Sequence, residues 1–291
     1  MTALGLDRMT IEEVGANPVR LAEAIHHQLG DRPGAVPVAD IAKALDIVQI
    51  RIEPLTNFEG ALVTTTERDI GSILVNQRSN PRRRRFTIGH ELLHFLNPWH
   101  QPTSPEGFWC GQQDMIANQI NSEDRHQRQE AEANVFAIEL LAPLQRIGPH
   151  LRGVPDLAAV LSMSDDLDIS KEAASRRYAS CHGDTLAVVF SRDNRFLYVH
   201  RSEGFPWVSL RKDLPLPALA PSMSESGLSG VEEADSDDWI SKADNVLMTA
   251  QTLHQQANHA ITLLRIVSTD EDDDDGGIDD TYERFSRFDA I

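Results

Sequence analysis

The sequence is poor in cysteine, in long apolar runs and in positive charge. Its 291 residues include only two cysteines, Cys110 and Cys181, which excludes a disulfide framework and favours a reducing compartment. No stretch approaches the roughly 18 apolar residues that a membrane span requires. The first residues lack the basic start and apolar core of a secretory signal. We therefore expect a soluble cytoplasmic protein that does not contact membranes.

The charge is strongly acidic and unevenly distributed. With 27 Lys and Arg against 45 Asp and Glu, the formal net charge is −18, which argues against strong direct nucleic-acid binding. Six consecutive acidic residues at 270–275 predict that residues 269–291 form a disordered, solvated tail. Arg82 to Arg85 form the opposite cluster. They are interpreted either as a solvated loop and helix start or as a docking patch for an acidic partner or for the chain's own acidic tail.

Apolar periodicity and capping residues divide the first half of the chain into elements. Asn17 and Pro18 predict the start of a helix that ends at Gly30. The further predictions are a helix VADIAKAL, a strand IVQIRIE, a hairpin GALVTTTERDIGSILVNQ, a helix RRRRFTIGHELLHFL stopped by Pro98, and a helix RQEAEANVFAIELLAP. Residues 97–128 between the last two helices are predicted to be a long irregular loop.

The second half of the chain has a different predicted secondary structure, with short helices followed by strands. Residues 156–181 predict two short helices with a turn near Asp168–Ser170, the outline of a helix-turn-helix-like pair. Strands are expected from Thr185 onward, with loop over 214–236, and a helical stretch followed by the strand AITLLRIV within 240–267. The predicted domains are 1–150, a helical connector 151–183, a smaller C-terminal β-containing α/β domain 184–268 that could act as a sensor, and the tail.

The segment HELLH at residues 90–94 contains the candidate metal-binding and catalytic residues. On a helix, residues four apart lie on the same face, so His90 and His94 can bind one Zn²⁺. Glu91 lies beside them and can act as a general base toward water. The alternative interpretation is that the segment is a solvated helix face on which two histidines occur by chance, without a metal site.

A catalytic zinc also needs a third protein ligand. The later helix offers Glu130, Glu132 and Glu139. Glu130 shares a face with Asn134 and with apolar positions expected to turn inward, whereas Glu132 and Glu139 lie about 200° and about 180° around the helix from it. Glu130 is therefore favoured, and the other two are expected on the solvated face. His100 or Cys110 in the loop could also ligate metal.

FTIGHELLHFL followed by EAEANVFAIELLAP resembles the ImmA/IrrE family of metallopeptidases over about residues 35–145. The resemblance implies an α+β fold in which a small twisted sheet packs on zinc-binding helices, as in zincins. It also implies one zinc per chain held by His90, His94 and Glu130, with Glu91 as catalytic base. The gap between His94 and Glu130 is long for the family, and Ala142 stands where the family usually has Met.

The family's activity implies a function. Its members cleave a helix-turn-helix repressor and so switch on genes, often in stress responses or on mobile elements. The alternatives are a protein-binding regulator, antitoxin-like or sensor, that keeps the fold without active catalysis, and a hydrolase of a non-peptide bond. Tyr178, Arg177 and His182 are weak candidates for the oxyanion donor. Trp99, Phe108 and Trp109 either contact substrate or fold back onto the core.

Overall fold

The computed structural model describes residues 4–102, 104, 107–111, 114, 124–217, 227–241 and 246–267. Helices and sheets are mixed, which confirms the expected α+β class. The acidic tail lies outside the described residues, so its disorder stays a prediction. Within the described ranges, none of the helices is long and apolar enough to cross a bilayer.

The first sheet has four strands in the order β1-β3-β2-β4. The strands are β1 (Ile47–Glu53), β2 (Gly60–Thr64), β3 (Gly71–Asn76) and β4 (Phe108–Cys110). β1 runs parallel to β3, while β2 is antiparallel to both β3 and β4. The predicted strand and hairpin are confirmed. The edge strand β4 was not predicted, because it lies within the segment expected to be an irregular loop.

The helices before this sheet follow the sequence signals. They are α1 (Arg8–Glu12), α2 (Pro18–Leu29) and α3 (Val38–Ala44). In α2 the Asn17 side chain accepts hydrogen bonds from two backbone N–H groups of the first turn, Pro18 occupies the first helical position, and Gly30 ends the helix. This capping confirms the predicted bounds.

Two long helices, α4 (Pro81–Leu96) and α5 (Arg125–Leu141), pack against each other beside the sheet. Asn80 caps α4 and Asp124 caps α5 through side-chain oxygens. A Cβ added at Gly89 would lie 3.4 Å from Ala137, so the glycine lets the two helices approach closely. Every residue from Thr87 to Leu96 is buried. The second half of α4 is thus a core helix rather than an amphipathic surface helix.

The helical connector follows a short α6 (Leu144–Ile147) and a 3₁₀ turn over Gly148–Leu151. It contains α7 (Leu157–Asp166) and α8 (Lys171–Cys181), as predicted. Asp168 in the turn between them has a φ of 51°, a left-handed conformation that Asp adopts more readily than most residues.

The arginine run joins α4 to this connector. Arg82 lies 2.7 Å from Asp165 and 3.2 Å from Asp168, and Arg85 contacts Asp168 and donates to the Val36 carbonyl. The predicted helix start is confirmed, because the run lies in the first turns of α4. The run is half-buried with partners inside the chain, so it is neither a solvated loop nor a free docking patch.

The second sheet has the order β6-β5-β9-β8-β7 and is antiparallel. Its strands are β5 (Leu186–Arg192), β6 (Arg195–Arg201), β7 (Glu232–Ala234), β8 (Leu247–His254) and β9 (His259–Val267), with a short α9 (Ser236–Trp239) after β7. The helical stretch expected between 240 and the last strand is wrong, because β8 pairs with β9 along its whole length. Apolar side chains from β5, β8 and β9 join the same buried cluster as α2, α4 and α5.

Candidate metal centre

Helix α4 brings His90 and His94 together one turn apart, with Glu91 next to them. All three side chains are fully buried. The Nε2 atoms of the two histidines lie 3.2 Å apart. Two nitrogens bound at about 2.05 Å to one tetrahedral zinc would be about 3.3 Å apart. The spacing of the two imidazoles therefore fits a shared metal ion.

Helix α5 adds Glu130 to the pair. Its carboxylate oxygens lie 3.0 Å from His90 Nε2 and 3.5 Å from His94 Nε2, and the side chain is almost completely buried. The structure thus brings together the three residues expected as ligands. Glu139 lies elsewhere, since it accepts a forked contact from Arg177.

Glu132 does not lie on a merely solvated face, contrary to the expectation. Its carboxylate accepts from His100 Nε2 at 2.9 Å, and His100 Nδ1 lies 2.8 Å from His94 Nδ1. His94 then donates from Nδ1 and keeps the Nε2 lone pair for a metal. Glu132 and His100 therefore fix the tautomer of His94 from outside the site.

Asn134 fixes the tautomer of the other imidazole, His90. Its side-chain oxygen lies 3.0 Å from His90 Nδ1, so Nδ1 donates and the Nε2 lone pair again faces the cluster. A sequence signal for Asn134 is its position one turn after Glu130 on the same helix face. The sequence offered His100 only as a potential ligand.

The protonation states follow from burial and mutual contact. Burial raises the pKa of Glu91 to about 8, although the nearby His90 opposes this. Burial also lowers the pKa of His94 to about 3. Burial by itself would raise the pKa of Glu130, but hydrogen bonds from both histidines hold that pKa well below its usual value. Glu130 is thus an anion in contact with two imidazole nitrogens, and a bound cation would take the place of the protons in these contacts.

Both carboxylate oxygens of Glu91 are buried without a hydrogen-bond partner. A buried polar group left unpaired costs about 1–3 kcal/mol, so the site lacks a partner that Glu91 needs. Gly60 on β2 lies directly over this carboxylate, since a Cβ there would be 2.6 Å from Glu91 Oε1. The glycine thus makes room for Glu91 beneath the sheet.

Strand β4 covers the remaining side of the cluster. Phe108 stacks on the His94 ring with centroids 4.7 Å apart, and the Cys110 Sγ lies 3.6 Å from His94 Nε2. Both side chains are buried, whereas Trp99 remains 77% exposed. His90, His94, Cys110 and Glu130 offer ligand atoms that all lie within 4.8 Å of one another.

Residues 43–178 match the family model of the IrrE N-terminal-like domain, peptidase family M78. The matched residues make up a little under half of the chain, and over them the chain is similar to the ImmA/IrrE peptidases. The resemblance seen in the sequence is thereby confirmed, and the match extends over the IrrE-like domain from the end of α3 into α8. No curated protein matches the chain at a significant level.

The three oxyanion candidates, which lie at or just beyond the end of the matched residues, have contacts elsewhere. The Tyr178 hydroxyl accepts from the Asp156 N–H, Arg177 binds Glu139, and His182 Nδ1 accepts from the Asp184 N–H. These contacts stabilise the connector and the start of the second sheet, and they give none of the three a role at the metal cluster.

Proposed function

We propose that this chain is a zinc-dependent endopeptidase that hydrolyses a peptide bond in a partner protein. The observation that carries the proposal is the convergence of His90, His94 and Glu130 around an unpartnered, buried Glu91. Two imidazoles and one carboxylate form a known set of catalytic zinc ligands, which leaves a fourth position for water or substrate. The family match supports the peptidase activity.

Zinc is proposed from the ligand types and from the separation of the two nitrogens. The same ligand set could hold Mn²⁺ or Fe²⁺ in the cell, so the identity of the metal is part of the proposal. When bound, zinc would polarise the scissile carbonyl and make a water molecule more acidic.

The chain's own residues would do the rest of the chemistry. Burial raises the pKa of Glu91 to about 8, and a cation bound beside it would lower that pKa. The carboxylate would then take a proton from the attacking water and return it to the leaving amine. His100 and Asn134 would hold the two imidazoles in the metal-binding tautomer throughout. Phe108 would exclude water from the far side of the His94 ring.

The finer architecture belongs to the same proposal. The sheet β1–β4 with α4 and α5 is proposed to be zincin-like, and residues 184–268 a smaller C-terminal domain that could sense a ligand. The substrate class, a helix-turn-helix repressor in the cytoplasm, comes from the family resemblance alone. Cleavage of such a repressor would place the chain in transcriptional regulation.

The test combines zinc loading with proteolysis of a candidate helix-turn-helix repressor co-expressed with the chain. Glu91→Gln should keep the zinc and lose cleavage, because it removes only the base. Glu139→Gln is the matched control, since Glu139 lies on α5 away from the cluster, and it should cleave normally. A Glu91→Gln variant that cleaves at the wild-type rate would refute the proposed role. Binding of the repressor without cutting, by the zinc-loaded wild type and by zinc-loaded Cys110→Ser alike, would favour the non-catalytic regulator.

A further inference from the structure

Cys110 is held against the metal cluster by strand pairing. It lies opposite Gly60 in the antiparallel pair of β4 and β2, and directly paired residues project their side chains to the same face of a sheet. Gly60 faces Glu91 on α4. The thiol of Cys110 therefore points from β4 toward the same helix, and Phe108, two residues earlier on the same face, stacks on His94.

The position of the sulfur fits a metal ligand. Sγ lies 3.6 Å from His94 Nε2. A thiolate at about 2.3 Å and an imidazole nitrogen at about 2.05 Å from one tetrahedral zinc are about 3.6 Å apart. The separations within the whole set of four ligand atoms stay within 4.8 Å. These separations exceed the roughly 3.6 Å expected between sulfur and its neighbours in the tetrahedron by no more than about 1.2 Å, which small side-chain movements would close.

A second observation concerns Glu91. Its two carboxylate oxygens are fully buried and have no hydrogen-bond partner. In a site with three protein ligands, a water in the fourth position would be that partner. The Cys110 thiol lies beside this carboxylate. As a zinc ligand it would take the fourth position in place of the water on which Glu91 acts.

We propose that Cys110 is a fourth zinc ligand that closes the coordination shell and keeps the peptidase latent. This inference rests on the proposed zinc site. As the bond from sulfur to zinc forms, the S–H bond breaks and its proton is released to solvent. Four protein ligands are typical of closed, structural zinc sites, whereas catalytic sites keep one position open. Because β4 has only three residues and lies at the sheet edge, its loss of pairing with β2 would open the position.

X-ray absorption at the zinc edge tests the ligand set directly on the full-length, zinc-loaded chain. The expected result for the wild type is one sulfur neighbour at about 2.3 Å together with nitrogen and oxygen neighbours. Cys110→Ser should lose the sulfur and retain zinc. Cys181→Ser removes the other buried cysteine and should leave the spectrum unchanged. A zinc-loaded wild type with only nitrogen and oxygen neighbours would overturn the inference while the proposed metallopeptidase stands.

The closed position is tested with cobalt in place of zinc and acetohydroxamate as the probe. The wild type should show a thiolate-to-cobalt charge-transfer band and bind acetohydroxamate at least tenfold more weakly than Cys110→Ser. Circular dichroism and metal content establish that the variant is folded. Equal acetohydroxamate affinity in the two proteins would refute latency. A wild type that takes up neither zinc nor cobalt would instead refute the metal site itself.

Discussion

Replacing His100 by Leu tests whether the contacts outside the site hold His94 in its metal-binding tautomer. His100 is 2% exposed and joins His94 Nδ1 to Glu132 through two hydrogen bonds of 2.8 and 2.9 Å. The substitution leaves the His94 N–H buried without an acceptor. Glu132 loses little, because its side chain is 36% exposed and water can replace the imidazole.

The expected magnitude comes from the loss of that orientation. Outer-shell partners of metal-binding histidines contribute about 10–100-fold in metal affinity, which corresponds to about 1.4–2.7 kcal/mol. Zinc affinity, measured by competition with a chromophoric chelator, should fall by this factor in His100→Leu. Glu132→Gln should lose less than about tenfold, because an amide oxygen can still accept from His100.

The matched control is His150→Leu, since His150 pairs with Asp166 outside the cluster and its loss should leave zinc affinity unchanged. Thermal unfolding of the metal-free proteins separates a weakened fold from a weakened site. If folded His100→Leu bound zinc within twofold of wild type, the argument that His100 orients His94 would be refuted.

Three further predictions concern packing, charge and pH. Gly60→Ala should lower the free energy of unfolding by about 1–3 kcal/mol and reduce cleavage, because its Cβ would overlap Glu91. Gly183→Ala is the control, since a Cβ there has nothing within 4 Å, and it should be neutral in the same thermal melts. A neutral Gly60→Ala would contradict the close packing. Asp168→Asn keeps the left-handed turn but removes the negative charge that pairs with Arg82 and Arg85, so the free energy of unfolding should fall by less than about 1 kcal/mol. A much larger fall in denaturant unfolding would contradict the half-exposed geometry of these ion pairs. Zinc should dissociate as the pH falls, because both imidazoles must be neutral to bind it. Dialysis across a pH series, followed by metal analysis, checks this. Unchanged zinc retention at acidic pH would argue against histidine ligands.

The two helices of the candidate site could be predicted from sequence because their signals are local. The stops before Pro98 and Pro143 were recognised, whereas the caps at Asn80 and Asp124 start the helices one and three residues before the predicted positions. The i,i+4 spacing then places two histidines on one face, and the same rule selects Glu130 on the other helix. These inferences need only helix geometry, which the chain near each residue determines.

Strand β4 could not be predicted because its partner is distant. Its three residues carry no period that indicates a strand, and they gain their structure by pairing with Gly60–Leu62, about fifty residues earlier. The contribution of Cys110 to the cluster depends entirely on this long-range pairing.

Glu132 and the arginine run show how tertiary packing overrides a local interpretation. The face argument placed Glu132 in solvent because it assumed that α5 packs on one side only. In the structure α5 contacts both α2 and α4, and the segment after α4 brings His100 to Glu132. Arg82 and Arg85 likewise find acidic partners in a connector about eighty residues later.

The most direct test of the central claim is zinc content by plasma mass spectrometry on protein purified without chelator and supplied with zinc. The wild type and Glu132→Ala should carry about one zinc per chain, and Glu130→Ala should carry almost none. Glu132 lies outside the ligand set, so its loss weakens affinity without removing the site. A wild type without zinc, or a Glu130→Ala variant that retains a full equivalent, would contradict the His90, His94 and Glu130 site.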